Sequence, residues 1–344
     1  MIVRSLGLRA AQIVGVTSLG LLLVSGCGTG TSSSLAKGPV SSNTPTGTNI
    51  STGAQMGLIW NSGDSTLRTL VGVPGSTQLG PALFPVGTFV AGAFAPLTQT
   101  ALLIDPKGNL QIMILPSLTP STVAQNVTAA SIIAFAPRGG FAAVYAQGST
   151  SALMVTGLPQ APAVSTINAG AAIQGAAVSD AGTLLLATGA GSSGVTVTSI
   201  GAAGARSSLA SLAGYGGMSF IAGSEDSLIA DAAANTLARY HNGSASVLAT
   251  HTNGLNQPFA VAASQDGHWA VTADQADGSL LRVDLTGATA PAQSTCACTP
   301  TQLLALSGNA VFELTAPAAA PGWMIEADGL TSRVLFIPPV RSGQ

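Results

Sequence analysis

Charge is what this chain has least of. Lys and Arg number 11 and Asp and Glu 13 among 344 residues, so 7% of the sequence is charged, against roughly 25% in ordinary soluble domains. A formal charge of −2 leaves no basic footprint, and that excludes nucleic acid as a partner, because phosphate binding draws on Lys and Arg. Scarce Glu, Lys and Arg also remove the residues that long helices favour. Disorder driven by charge is excluded as well, since 47% of residues are hydrophobic. Aromatic residues are 4%, histidines three and cysteines three. No His-Glu-x-x-His and no Gly-x-Ser-x-Gly is present, so two common hydrolase signatures are missing. What is plentiful is Gly, 42 residues, together with Ala, Ser and Thr. That balance predicts a secreted or lipid-anchored all-β protein.

The N-terminus reads as an address. Arg4 and Arg9 precede a mostly apolar run from Ala10 to Ser25, interrupted by Gln12, Thr17 and Ser18. The run is shorter than the ~20 residues a membrane-spanning helix needs, which marks residues 1–26 as a signal peptide. It ends in Leu23-Val24-Ser25-Gly26-Cys27, which resembles the lipobox of bacterial lipoproteins. The resemblance implies a diacylglycerol thioether on Cys27, cleavage just before it and acylation of the new amine. Several acyl chains hold a protein on a membrane where one does so marginally. Gly28 rather than Asp follows the cysteine, and the family's sorting rule then implies the bacterial outer membrane, on its periplasmic or surface face. Residues 27–54 form the lipidated cysteine and a tether: 19 of residues 28–54 are Gly, Ser, Thr or Pro, too few apolar groups to fold. As a flexible coil this segment spans roughly 28 Å.

From residue 55 to 344 the chain repeats. Ala93-Phe94-Ala95-Pro96 returns as Ala134-Phe135-Ala136-Pro137, and equivalent turns hold Asp180, Gly223, Gln265 and Ser307. Pro96, Pro137 and these four are spaced 41, 43, 43, 42 and 42 residues apart. After each anchor comes an apolar run (Ala101 to Ile104, Thr183 to Ala187, Trp269 to Thr272), a turn such as Asp105 to Gly108 or Ala276 to Gly278, and a second run such as Leu110 to Leu115 or Leu280 to Leu285. Asp-Gly and Gly-Asn pairs between apolar runs mark hairpins. Several short strands per unit of 40–45 residues is the signature of a β-propeller. An incomplete unit precedes the six anchored ones: Gly57 to Trp60, the turn Asn61 to Asp64, and Leu67 to Leu70 match the hairpin of a blade without its first strand. Seven four-stranded blades are predicted. Six remain the alternative, with the N-terminal segment completing the last blade.

The body resembles bacterial propellers of the broad WD40, quinoprotein and lactonase-like type, without the Trp-Asp dipeptide of true WD40 repeats. Leu70 to Gly75 and Cys296 to Thr301 are similar to segments of propeller lipoproteins from soil bacteria, and that likeness carries no activity.

Candidate sites are few. Gly189-Ala190-Gly191-Ser192-Ser193-Gly194 matches Gly-x-Gly-x-x-Gly, but strand-like Val195 to Thr198 follows and the next acid is Glu225, so it reads as a hairpin loop and not a dinucleotide site. Cys296 and Cys298 are close enough for a disulfide if the chain turns there, and an oxidising compartment favours it. Free thiols are the alternative, and a metal site lacks further ligands nearby. His241, His251 and His268 occupy turns or strand starts. Glu225, Asp226 and Asp231 form the densest acid cluster, with Asp274, Asp277 and Asp284 in the next unit. Lactonase-like propellers hold calcium with such side chains in the channel, so Glu225, Asp226, Asp231 and Asp274 are the metal candidates. Asp180, Asp226 and Asp266 also recur at the same turn of successive units, which hairpin chemistry explains.

No cofactor is expected. The sequence points first to a non-enzymatic envelope lipoprotein whose propeller is a binding or assembly platform for a protein or glycan partner. A lactonase-like hydrolase or lyase with a metal in the channel is the alternative, and a structural surface protein the second. Convergence of Glu225, Asp226, Asp231, His268 and Asp274 on the propeller axis separates the first two.

Overall fold

The computed structural model describes residues 55–189, 194–317, 320–329 and 331–339, all within one compact unit. The expected signal peptide 1–26, Cys27 and the expected tether to residue 54 lie outside the described residues, as do residues 190–193 of the Gly-rich loop.

Among the described residues there are seven antiparallel sheets in chain order and no α-helix. Blade I holds β1 (Gln55–Asn61), β2 (Thr66–Val73) and β3 (Ser76–Ala82). Blade II holds β4 (Ala91–Ala95), β5 (Thr100–Ile104), β6 (Leu110–Ile114) and β7 (Ser121–Ala124). Blade III holds β8 (Ser131–Phe135), β9 (Ala142–Ala146), β10 (Ser151–Thr156) and β11 (Ala163–Asn168). Blade IV holds β12 (Ile173–Val178), β13 (Leu184–Thr188), β14 (Val195–Ile200) and β15 (Arg206–Leu212). Blade V holds β16 (Tyr215–Phe220), β17 (Ser227–Asp231), β18 (Thr236–His241) and β19 (Ser244–Thr250). Blade VI holds β20 (Pro258–Ala263), β21 (Trp269–Asp274), β22 (Ser279–Asp284) and β23 (Ala292–Thr295). Blade VII holds β24 (Leu304–Ala305), β25 (Val311–Thr315), β26 (Gly322–Glu326) and β27 (Arg333–Ile337).

Each four-stranded sheet is a meander in strand order, and all six anchors fall in the turn between its first and second strands. The preferred count of seven is therefore the observed one. Two expectations need correction. Among the described residues blade I shows three strands, and the one not seen is the outermost instead of the first. Its Gly57-Leu58-Ile59-Trp60 run is the first strand itself, set beside Phe94 of β4 with an added Gly57 Cβ only 3.2 Å from that ring. Nor does the N-terminal segment complete blade VII, whose four strands all come from residues 304–337.

The core lies between blades. Seven clusters of buried apolar side chains each straddle one pair of neighbours. Middle strands are pressed between two blades, which is why β5, β13, β17 and β22 are buried along their whole length and read as continuous runs without alternation. Outer strands such as β11 (Ala-Val-Ser-Thr-Ile-Asn) are largely exposed and meet water with Ser, Thr and Asn. That is how a chain so poor in charge covers its rim. Met56, Ile59 and Leu70 of blade I pack with Leu306, Val311, Met324 and Ile337 of blade VII. Ser307 N also donates to Met56 O at 2.8 Å. The ring thus closes by packing, without a shared blade.

Glycine permits the tightest approach of first strands. A Cβ on Gly217 would lie 2.8 Å from Ala260 Cα, and one on Gly216 2.7 Å from Pro258 O. Strands β16 and β20 therefore meet with almost no side chain between them.

Candidate functional site

First strands of six blades line a central cavity of about 290 Å³. Its walls carry Phe94 from blade II, Ile132 and Phe135 from III, Tyr215 from V, Phe259 from VI and Leu304 from VII, with alanines between them. No Asp, Glu, His, Lys, Arg or Cys is among the residues lining it. Ile132 and Leu304 stay 45% and 41% exposed, notable for large apolar side chains in so concave a setting. Two phenols stand in the wall. Burial pushes the Tyr145 hydroxyl up, partly offset by a hydrogen bond with the Ala176 backbone. Burial, with Tyr145 beside it, pushes Tyr215 up further. Both stay neutral at physiological pH.

The acids that the sequence singled out are elsewhere, and each has a local task. Glu225 is exposed in the turn before β17. Asp226 binds Arg239 Nε at 2.8 Å and His241 Nδ1 at 2.7 Å. Burial acts to raise its carboxyl, but these partners outweigh that and hold it below the ordinary carboxylate value. Asp231 accepts backbone N–H groups of Ala213, Gly214, Ala233 and Ala234, tying the entry of β16 to the turn after β17. Asp274 is fully buried and accepts from Asn256 N and Ser279 Oγ, both at 3.0 Å. Desolvation raises it to about 6 despite those bonds. His268 lies 3.4 Å from Asp284 and stacks on Trp269, centroids 4.5 Å apart. None of Glu225, Asp226, Asp231, His268 and Asp274 lines the channel. Among the described residues no three His, Cys, Asp or Glu side chains are grouped as a metal would require.

The recurring turn position has a wider use than hairpin chemistry. Asp180 of blade IV accepts Arg138 N of blade III at 2.7 Å and Gly223 N of blade V at 2.8 Å. Asn309 of blade VII accepts Asp266 N and donates to Asp266 Oδ2 in blade VI. These side chains latch neighbouring blades around the face where the anchor turns lie. Asp226 stands at the head of β17, outside that ring of latches.

The Gly-rich loop joins β13 to β14, antiparallel neighbours with Thr188 opposite Thr196, as a hairpin loop does. His241 and His251 are exposed and His268 is 44% exposed in its side chain. Cys296 and Cys298 form a disulfide with Cα atoms 4.9 Å apart, in the bend after β23. Sequence reasoning missed Glu313. It is 2% exposed in β25, and one carboxyl oxygen lacks a hydrogen-bond partner. Its only sequence signal was a lone acid inside the run Ala310-Val311-Phe312-Glu313-Leu314. Desolvation raises it to about 8, with Gln302 offsetting part of the effect.

No family model and no curated protein matches the chain. Solved structures share its fold. A functionally unknown protein from Desulfotomaculum acetoxidans DSM 771 superposes with a TM-score of 0.55 at 12% identity, covering 83% of this chain and 100% of its own. The β-propeller domain of Cps50 (Swd1) from Myceliophteria thermophila gives 0.51 at 12% identity, covering 73% and 87%. These likenesses are of architecture: the chain is a seven-bladed β-propeller.

Proposed function

We propose that this propeller is a cell-envelope lipoprotein that works by binding, held at the bacterial outer membrane through Cys27. The observation that carries the binding reading is the channel wall, which is mostly apolar and carries no charged side chain. General acid–base work needs a titratable group within hydrogen-bond reach of the reacting atoms. The acids proposed for that role instead cap turns and pair with Arg239, His241 and backbone N–H groups. A rigid ring of loops and a hydrophobic channel suit recognition of a protein or glycan at the rim. The anchor reading rests on Leu23 to Cys27, and the flexible composition of residues 28–54 would hold the ring off the lipid.

Two measurements test this reading. Cys27→Ser should abolish labelling by a clickable fatty acid and release the protein from membranes, and unchanged membrane partition removes the anchor. A screen of lactone and ester substrates with added calcium should give no turnover above background. Turnover that is lost in Asp274→Asn would replace the binding reading with a hydrolase.

A further inference from the structure

We propose that the channel is the binding site of one small, electrically neutral, apolar molecule, a proposal that rests on the binding reading above but not on the anchor. The cavity of about 290 Å³ lies at the lower edge of the range for small-molecule sites, roughly 300–1,000 Å³. It has room for about ten waters or one compact ring system. Phe94, Phe135, Tyr215 and Phe259, from four different blades, are among its lining residues, so aromatic residues border a guest on several sides.

Charge selects the guest more sharply than size. The lining carries no ionised side chain, and its two phenols are pushed away from ionisation. A charged ligand entering would shed its hydration and find no counter-charge, which is strongly unfavourable. A neutral apolar ligand loses nothing of that kind and covers Ile132 and Leu304, whose large side chains are otherwise left partly in water. Gln265 stands at the end where the anchor turns lie and offers an amide to a ligand with a single polar group. The small first-strand residues keep the space open: Ala93, Ala134, Ala260 and Ala305 line it where larger side chains would fill it.

The test uses residues 28–344, which retain every blade, and N-phenyl-1-naphthylamine, a neutral fluorophore. Expected is saturable enhancement with one site per chain, and at least tenfold weaker binding of the anionic analogue 8-anilinonaphthalene-1-sulfonate. Ile132→Glu puts a charge at the cavity, and Ala305→Trp fills it. Both positions are exposed, so the melting temperature should hold while affinity for the neutral probe falls at least tenfold. Val247→Glu, on the outer strand β19 and 62% exposed, should leave affinity unchanged. The proposal is overturned by absence of saturable binding, by equal affinity for the anionic analogue, or by equal effects of Ile132→Glu and Val247→Glu. If a channel variant melts early, a neutral aryl azide on the wild-type protein decides. Crosslinks within residues 93–96, 132–137, 176–178, 215–220, 259–265 or 303–305 support the site, and crosslinks confined to other peptides overturn it. Membrane release by Cys27→Ser is read separately, so the anchor and the ligand site can fail independently.

Discussion

Glu313 offers the sharpest handle on the ring. Along β25, Phe312 and Leu314 pack toward blade VI, whereas Val311 packs toward blade I. By the two-residue period of a strand, Glu313 shares the side of Val311 and faces the interface where the ring closes. Burial raises its carboxyl from an ordinary 4.5 to about 8. The native chain therefore keeps a proton that the unfolded chain gives up above pH 4.5. Stability from this group is complete below that value and is lost as pH rises toward 8. Each unit of pH across that window removes about 1.4 kcal/mol, so near pH 7 the penalty is on the order of 3 kcal/mol. Glu313→Gln keeps the shape of the neutral acid and removes its ionisation. The variant should match the wild type near pH 5 within about 1 kcal/mol, and exceed it by about 4 kcal/mol at pH 8. For a domain this large that corresponds to roughly 5–10 °C in melting temperature. Circular-dichroism melts of both proteins at pH 5, 6, 7 and 8 read the difference, and other titrating groups cancel between them. Parallel curves across the whole range would refute the reasoning, because they would mean that Glu313 ionises alike in the folded and unfolded chains.

Leu70→Ala at the closing interface and Leu186→Ala between blades III and IV, both buried, should each cost about 2–5 kcal/mol and lower one common calorimetric transition. A separate early transition in Leu70→Ala would show that the last interface opens on its own. Gly175→Ala should be destabilising by about 1–3 kcal/mol, because its Cβ would come within 1.9 Å of Tyr215 Oη, and denaturant titration measures the loss. Mass spectrometry of alkylated, non-reduced protein should find Cys296 and Cys298 linked, whereas full alkylation of both would show free thiols.

The sequence by itself determined the class and the repeat period, and the structure decided seven blades over six. Low charge with abundant Gly, Ala, Ser and Thr excluded a helical body, and anchors about 42 residues apart marked each first turn, because a repeated blade must present the same turn at the same place. It also placed several middle strands, since burial from both sides favours apolar residues at consecutive positions, as in β5 and β13. The tertiary structure decided what lay between repeats. Blade I reads as a hairpin lacking its first strand because inner and outer strands differ in their neighbours across the ring, which a local pattern does not record. The acid cluster looked like a metal site because Glu225, Asp226 and Asp231 are adjacent in the chain. In space they diverge, Asp226 toward Arg239 and His241, Asp231 toward the backbone of the β16 entry. Asp180 and Asp266 looked like hairpin residues, and only the ring brings Gly223 and Asn309 against them from the next blade. The channel had no motif at all. It exists because first strands from six blades, tens to hundreds of residues apart, converge with alanines and aromatic rings around a common axis.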